Sequence, residues 1–327
     1  IAEQLDAMAY IMEDCAKKQK NITEECRSNL QDIAYRARER GIKVIDEQLW
    51  EKENGRWQLV MKVMVKDGCV TTRELTKAVA GALNRRMIPE KDTKTLIGKG
   101  VNLYTYEEEP RFQAIYGVAR MVKDGAAVSG DNFSFLEPES GKMVMCLSDG
   151  MGSGSLACKE SEMVIELVEK FLEAGFDVET AARMMNSAMV MKGQEDLFST
   201  VDISELDLYD GTCRFYKIGA AATFIRRNGI VECLISTSLP VGVSYKLDME
   251  KSEKDLYNGD FLVMVSDGVL EYLHVPNPEE TMQEIIESIE TNNATILAKR
   301  ILERVLLFTG GKAADDMTVL ATAIWEK

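Results

Sequence analysis

The sequence holds a single histidine, His274, only six prolines in 327 residues, and seven cysteines, none of them in a Cys-x-x-Cys pair. One imidazole and scattered thiols exclude a zinc site assembled from clustered His and Cys. An odd number of cysteines set among apolar residues, as Cys146 in "MVMCL" and Cys213 in "GTCRFY", reads as buried free thiols in a reducing compartment, so a cytoplasmic domain is expected. Long apolar runs are also missing. Nothing approaches the ~18 residues of a membrane span, and no signal-peptide pattern opens the chain. Because residue 1 is isoleucine, the chain is read as a piece of a longer protein, with any membrane anchor expected upstream. Positive charge is in deficit: 39 Lys and Arg stand against 54 Asp and Glu, a net charge of -15. Such a surface repels phosphate backbones, which excludes nucleic acid as the main partner and means that any phosphate ligand needs added cations.

What is present suits an ordinary globular protein, since 46% hydrophobic residues can fill the cores of two domains. Leu5, Met8, Met12, Cys15, Ile22, Cys26 and Ile33 recur at spacings of three, four and seven, which predicts a long amphipathic helix over 1–40 ended by Gly41. Its near-heptad seam serves either a homodimer contact through helices or packing on its own domain. A half-buried strand is expected in "RWQLVMKVMVK", a helix at 72–87 and a strand at 100–106. The acidic run "EEEP" at 107–110 marks the domain boundary, leaving a region 1–110 and a domain 111–327.

Beyond it, strands are expected near 112–122, 132–136, 142–148, 199–208, 212–218, 221–227, 230–235, 261–266 and 317–324. Helices are expected at 155–174, 177–192, 279–290 and 294–308, the second N-capped by Asp177. Hairpin-linked strands with helices grouped elsewhere imply antiparallel sheet and an α+β fold.

Asp-Gly occurs five times, at Asp67, Asp124, Asp149, Asp210 and Asp267. Asp210-Gly211 lies between strand-like runs and reads as a hairpin turn, as does Asn228-Gly229; the two "VKDG" segments read as turns too. Asp149 and Asp267 are different, because each closes a continuous apolar run through Ser-Asp-Gly with no matching strand after it. An unpaired ionised group at the end of a buried strand is costly and needs a reason. Asp131 in "SGDNFSFLE" and Asp316 in "ADDMTVLATAI" stand before strands instead. In antiparallel sheet the end of one strand lies beside the start of its neighbour, so all four carboxylates can meet at one edge. Such a cluster stays ionised only around cations, and an all-oxygen donor set favours Mg²⁺ or Mn²⁺. Gly150, lacking a Cβ, would let its carbonyl join the ligands.

The loop of Gly150, Gly152 and Gly154 has the spacing G-x-G-x-G, where a dinucleotide site needs G-x-G-x-x-G and a P-loop needs Gly-Lys-Ser/Thr. Both nucleotide readings fail.

"SGDNFSF", "LSDGMGSG", "FSTVDISELDLYDGTCRFYKIGAAATFIRRNG", "LPVGV", "GDFLVMVSDGVLEY" and "ADDMTVLATAI" occur in that order. Together they resemble the metal-dependent (PPM, type 2C-like) serine/threonine phosphatases, in the bacterial branch that acts on anti-sigma factor antagonists, and the versions "SGDNFSFLE" and "DGMGSG" are similar to its sporulation members. The resemblance covers about 111–327. It implies an αββα sandwich of two antiparallel sheets flanked by helices, and two Mn²⁺ or Mg²⁺ ions on Asp131, Asp149, Gly150, Asp267 and Asp316. It also implies catalysis through metal-bound water and a phosphorylated anti-sigma factor antagonist as partner, whose dephosphorylation activates a sporulation sigma factor. A stress-response phosphatase of the same branch, a metal-dependent hydrolase of small phosphates, and a scaffold that uses the fold for binding alone are the alternatives.

Three departures matter. Asp131 follows Gly130 where the family often has an acidic pair, which leaves direct or water-mediated metal contact open. Where eukaryotic members carry a histidine after the bridging aspartate, this chain has Met151-Gly152, and His274 reads as a surface residue. Arg120, a candidate for the phosphate-holding arginine of eukaryotic members, reads as a solvated strand residue. Region 1–110 is expected to be regulatory, its long helix docking near the helices at 155–192 and biasing metal occupancy.

Overall fold

The structure is a computed structural model that describes residues 19–52, 55–91, 93–138, 141–152, 154–191, 198–308 and 310–327. The chain divides into two compact units, Ile1–Glu109 and Pro110–Lys327.

The first unit contains β1 (Gln19–Asn21), α1 (Arg27–Glu39), β2 (Ile42–Lys52), β3 (Trp57–Val65), β4 (Val70–Thr71), α2 (Thr72–Leu83), β5 (Met87–Pro89), β6 (Leu96–Ile97) and β7 (Asn102–Glu108). Its main sheet has the order β1-β2-β3-β7-β5, with β4 paired to β6 beside it. Leu59, Met61 and Val63 alternate inward along β3 and meet Ile33 of α1 and Leu75 of α2 in one core. The single helix expected over 1–40 is corrected here. Residues 1–18 lie outside the described residues, 19–21 form a strand, and the helix is Arg27–Glu39.

The reason is local. The Asn21 carboxamide accepts from the Thr23 amide at 3.0 Å, Thr23 Oγ1 accepts from the Leu49 amide at 3.0 Å, and the Ile22 amide donates to the Leu49 carbonyl at 2.9 Å. Side-chain turns and sheet pairing satisfy backbone groups that a helix would have used. Leu30, Ile33 and Ala37 are buried, so α1 packs on its own unit. The strand β2 escaped the sequence reading because a bulge between Val44 and Asp46 breaks its alternation.

The second unit contains β8 (Phe112–Met121), β9 (Asp131–Leu136), β10 (Lys142–Gly150), α3 (Ser155–Glu173), α4 (Val178–Met191), β11 (Ser199–Asp207), β12 (Thr212–Ile218), β13 (Thr223–Arg227), β14 (Ile230–Leu234), β15 (Glu250–Asp255), β16 (Phe261–Val265), α5 (Asp267–Glu271), α6 (Pro278–Glu287), α7 (Ala294–Leu307) and β17 (Met317–Glu326). Two antiparallel sheets result, β15-β12-β11-β10-β9 and β14-β13-β16-β17-β8. Along β10, Met143, Met145 and Leu147 join a core with Leu262, Met264 and Leu320 of the other sheet, while Val144 and Cys146 meet Val164 and Met185 of α3 and α4. On the far side Val263 and Val319 pack with Leu297 and Ile301 of α7. Helices, sheet, sheet, helices is the αββα order. A strand buried on both faces reads as a continuous apolar run, which is why β10 and β16 stood out. Strand β15, "EKSEKD", has no apolar residue to reveal it; it is a mostly exposed edge strand defined by pairing to β12.

Candidate metal centre

In the first sheet β9 begins at Asp131 and β10 closes with Asp149 and Gly150, and the antiparallel register sets Asp131 opposite Asp149. The second sheet repeats the arrangement. β16 ends at Val265 and is followed by Asp267 at the start of α5, while Asp316 precedes β17, with the Ser266 amide donating to the Thr318 carbonyl at 3.0 Å. Two aspartates therefore leave strands and two enter them.

The Asp316 carboxylate ties the sheets together: Oδ2 accepts from the Gly130 amide at 2.7 Å and Oδ1 from the Lys123 amide at 2.9 Å. Asp131 is fully buried, and neither carboxylate oxygen has a hydrogen-bond partner. The Thr318 and Ser266 hydroxyls lie close enough to favour its anion without closing a hydrogen bond, and the Thr318 hydroxyl is itself unpartnered. Burial, opposed by those hydroxyls and reinforced by the charges of Asp267 and Asp316, pushes the Asp131 carboxyl above its usual range. Burial, and then Asp267 and Asp131 beside it, raise Asp149 to about 11. Asp149 thus stands between two other acids.

Among the described residues no three His, Cys, Asp or Glu side chains form a ready-made metal group, so the fit to a cation rests on the donors themselves. They are neighbouring carboxylates that repel one another, with orphaned oxygens in a buried position and no cationic side chain among the causes of their shifts. Either protonation or hard divalent ions resolve that conflict, and oxygen-only donors suit Mg²⁺ or Mn²⁺.

The glycine after each aspartate has a steric reason. A Cβ on Gly150 would sit 2.1 Å from the Ala157 carbonyl oxygen in α3, and one on Gly268 would sit 2.2 Å from the Asp316 carbonyl oxygen. Gly152 and Gly154 have φ of +98° and +80°, the left-handed region that favours glycine.

Several residues that hold the site were not read from the sequence. Ser199 Oγ donates to the Asp149 carbonyl at 2.7 Å, and Thr200 Oγ1 accepts from the Asp149 amide at 3.3 Å. The Asn132 carboxamide donates to Ser161 Oγ at 2.8 Å, and Ser161 Oγ donates in turn to the Gly130 carbonyl. A buried serine on the apolar face of α3 was the available signal. Arg120 is exposed, as expected, yet its guanidinium donates to the Asp131 carbonyl at 2.6 Å. His274 is exposed beyond α5, with its ring centroid 5.8 Å from that of Tyr272.

A family model described as stage II sporulation protein E (SpoIIE) matches residues 139–324. The chain is 28% identical over 325 residues to stage II sporulation protein E of Bacillus subtilis (strain 168), covering 99% of this chain and 39% of that protein. It is 29% identical over 329 residues to the same-named protein of Priestia megaterium, covering 99% of this chain and 56% of that protein. The chain thus spans well under two thirds of these curated relatives. The solved PP2C phosphatase domain with a fragment of the regulatory domain of SpoIIE from Bacillus subtilis matches with a TM-score of 0.70 at 28% identity, covering 100% of this chain and 95% of that one. A shorter stretch of 86 residues is 35% identical to phosphoserine phosphatase RsbX of Bacillus subtilis, 26% of this chain and 41% of that protein. The structure of RsbX in complex with magnesium shares the fold, with a TM-score of 0.51 and 21% identity over 67% of this chain and 98% of that one. Among the described residues no helix is long and apolar enough to cross a membrane.

Proposed function

Because the chain belongs to the stage II sporulation protein E family of PP2C-type phosphatases, we propose that it hydrolyses phosphoserine or phosphothreonine on an anti-sigma factor antagonist, using two Mn²⁺ or Mg²⁺ ions. Asp131, Asp149, Asp267 and Asp316 would hold the ions, with the Gly150 carbonyl as a further ligand. The observation that carries this reading is the pairing of Asp131 with Asp149, both orphaned or mutually repelling, at the edge where Asp267 and Asp316 arrive from the second sheet. Bound divalent ions supply two things there: water that ionises near neutral pH, and compensation for phosphoryl charge.

The protein's own part is placement. Asp316 fastens the chain before β9 through two backbone amides, Arg120 anchors the first residue of β9, and Ala157 presses Gly150 into position. Rigid donors lose little free energy in reorganising when substrate arrives. Magnesium in RsbX and the phosphoserine phosphatase activity in its name support the same chemistry.

The test is phosphate release from a phosphorylated antagonist, a phosphopeptide and a nucleoside triphosphate, each with Mn²⁺ and with chelator. Fast, Mn²⁺-dependent turnover of the phosphoprotein alone supports the reading; turnover that chelator leaves intact, or that prefers the nucleotide, refutes it. Residues 1–109 we assign a regulatory role, by analogy with the regulatory fragment of the matched structure. Equal metal affinity and rate in 110–327 and in the whole chain would remove that role.

A further inference from the structure

The first unit contains a cavity of about 880 Å³ between the last turns of α1 and the rim formed by the start of β2 and the end of β3. Its floor is apolar: Ile42 and Val65 are buried there, and Val44 and Val70 are half-buried. Its rim is cationic. The side chains of Arg38, Lys43 and Lys66 are exposed around it and engage in no hydrogen bond or ion pair among the described residues. The nearby Asp67 carboxylate is already paired with Lys99 at 3.2 Å. Tyr35 forms one wall with 63% of its surface exposed.

In a chain of net charge -15, three cations around one apolar depression have no partner among the described residues to explain them. Several surface lysines elsewhere in this unit are matched, as Lys62 with Asp46 and Lys77 with Glu74. Like charges gathered on one rim repel mildly, so the arrangement costs the free protein something that a bound anion would return. The volume lies within the ~300–1,000 Å³ typical of small-molecule sites and is far larger than a bare inorganic anion needs. A protein interface would require ~800 Å² from each partner and is usually flatter.

We propose that this cavity is a binding site for a small anionic amphiphile, one acidic head held by Arg38, Lys43 and Lys66 and an apolar body lying on Ile42, Val44, Val65 and Val70 against the Tyr35 ring. Phosphate and carboxylate heads share this chemistry. The site is lined by residues of the first unit alone and does not depend on the phosphatase reading.

The test uses the full chain and calorimetric titration with decyl phosphate below its micelle concentration, with decanoate as the alternative head. Decyl glucoside and inorganic phosphate serve as the neutral and headgroup-only controls. Saturable binding of one molecule per chain is expected, at least tenfold tighter than either control. Lys43→Glu with Lys66→Glu should weaken it at least tenfold, and Tyr35→Ala severalfold, with circular dichroism unchanged. Should the reversed chain lose its fold, Lys43→Met with Lys66→Met gives the same reading at constant length. No saturable binding of either anion, equal binding of decyl glucoside, or binding untouched by the lysine substitutions overturns the proposal. Tighter binding of a leucine-containing glutamate peptide than of decyl phosphate overturns it in favour of a protein segment.

Discussion

Gly150 lies so close to Ala157 that a methyl group at its Cα would stand 2.1 Å from the Ala157 carbonyl oxygen. No side-chain rotation relieves a clash with backbone. Gly150→Ala must move the end of β10 or the start of α3, at a cost of about 1–3 kcal/mol for overpacking. We expect a thermal midpoint lower by several degrees and phosphate release reduced at least a hundredfold, because the shift falls on the residue next to Asp149. Wild-type activity in Gly150→Ala would show that the carbonyl of residue 150 need not be held.

Asp149 and Asp316 should respond oppositely to the same Asp→Asn change in metal-free protein. Asp149 is raised to about 11 by burial and by Asp267 and Asp131, so the folded chain holds its proton to higher pH than the unfolded chain, which releases it near pH 4. Stability from this group is therefore lost as pH rises from about 4 towards 11. Asp149→Asn removes that slope and raises the melting temperature at pH 7.5 without divalent ions, while abolishing turnover. Asp316→Asn deprives the Lys123 or the Gly130 amide of its acceptor and lowers the melting temperature, by about 1–2 kcal/mol of stability. Melting curves in chelator decide; a shift of the same sign in both variants contradicts this account.

Between the sheets, Lys217 Nζ meets Asp202 Oδ2 at 2.5 Å and Thr223 Oγ1 at 2.8 Å, with Asp202 Oδ1 buried and unpartnered. Breaking a buried pair from one side strands a charge. Lys217→Met should cost about 3–5 kcal/mol, and adding Asp202→Leu should recover part of it. Urea midpoints of the single and double variants measure this, and additive losses would show that the pair is not coupled.

His274 is exposed beyond α5, and no imidazole replaces the Met151-Gly152 dipeptide after Asp149. His274→Ala should leave turnover within about threefold of the parent. A drop of ~10²-fold or more, typical of removing a general acid, would make it a catalytic residue.

Legibility in the sequence followed burial. Strands covered on both faces, such as β10 and β16, announce themselves as apolar runs, and the Ser-Asp-Gly that closes each one marked Asp149 and Asp267. The Asp210-Gly211 and Asn228-Gly229 turns were equally plain, because φ of +88° at Gly211 and +51° at Asn228 suits few other residues. Where side chains give no local preference, the reading failed. β15 is all charged or small and exists through its ladder to β12, and the expected helix over 1–40 gave way at 19–23 to pairing with β2 and at 23–26 to a turn.

What the sequence determined alone is therefore the set of elements with strong period and the acidic residues at their ends, since both depend on neighbours within a few positions. Tertiary structure alone decided which ends meet: Asp131 opposite Asp149 in one sheet, Asp316 against the Gly130 amide across 186 residues, and Gly268 against the Asp316 carbonyl. Those contacts join segments distant in the chain, and their free energy comes from desolvation and packing that no local stretch possesses before the two sheets close on each other.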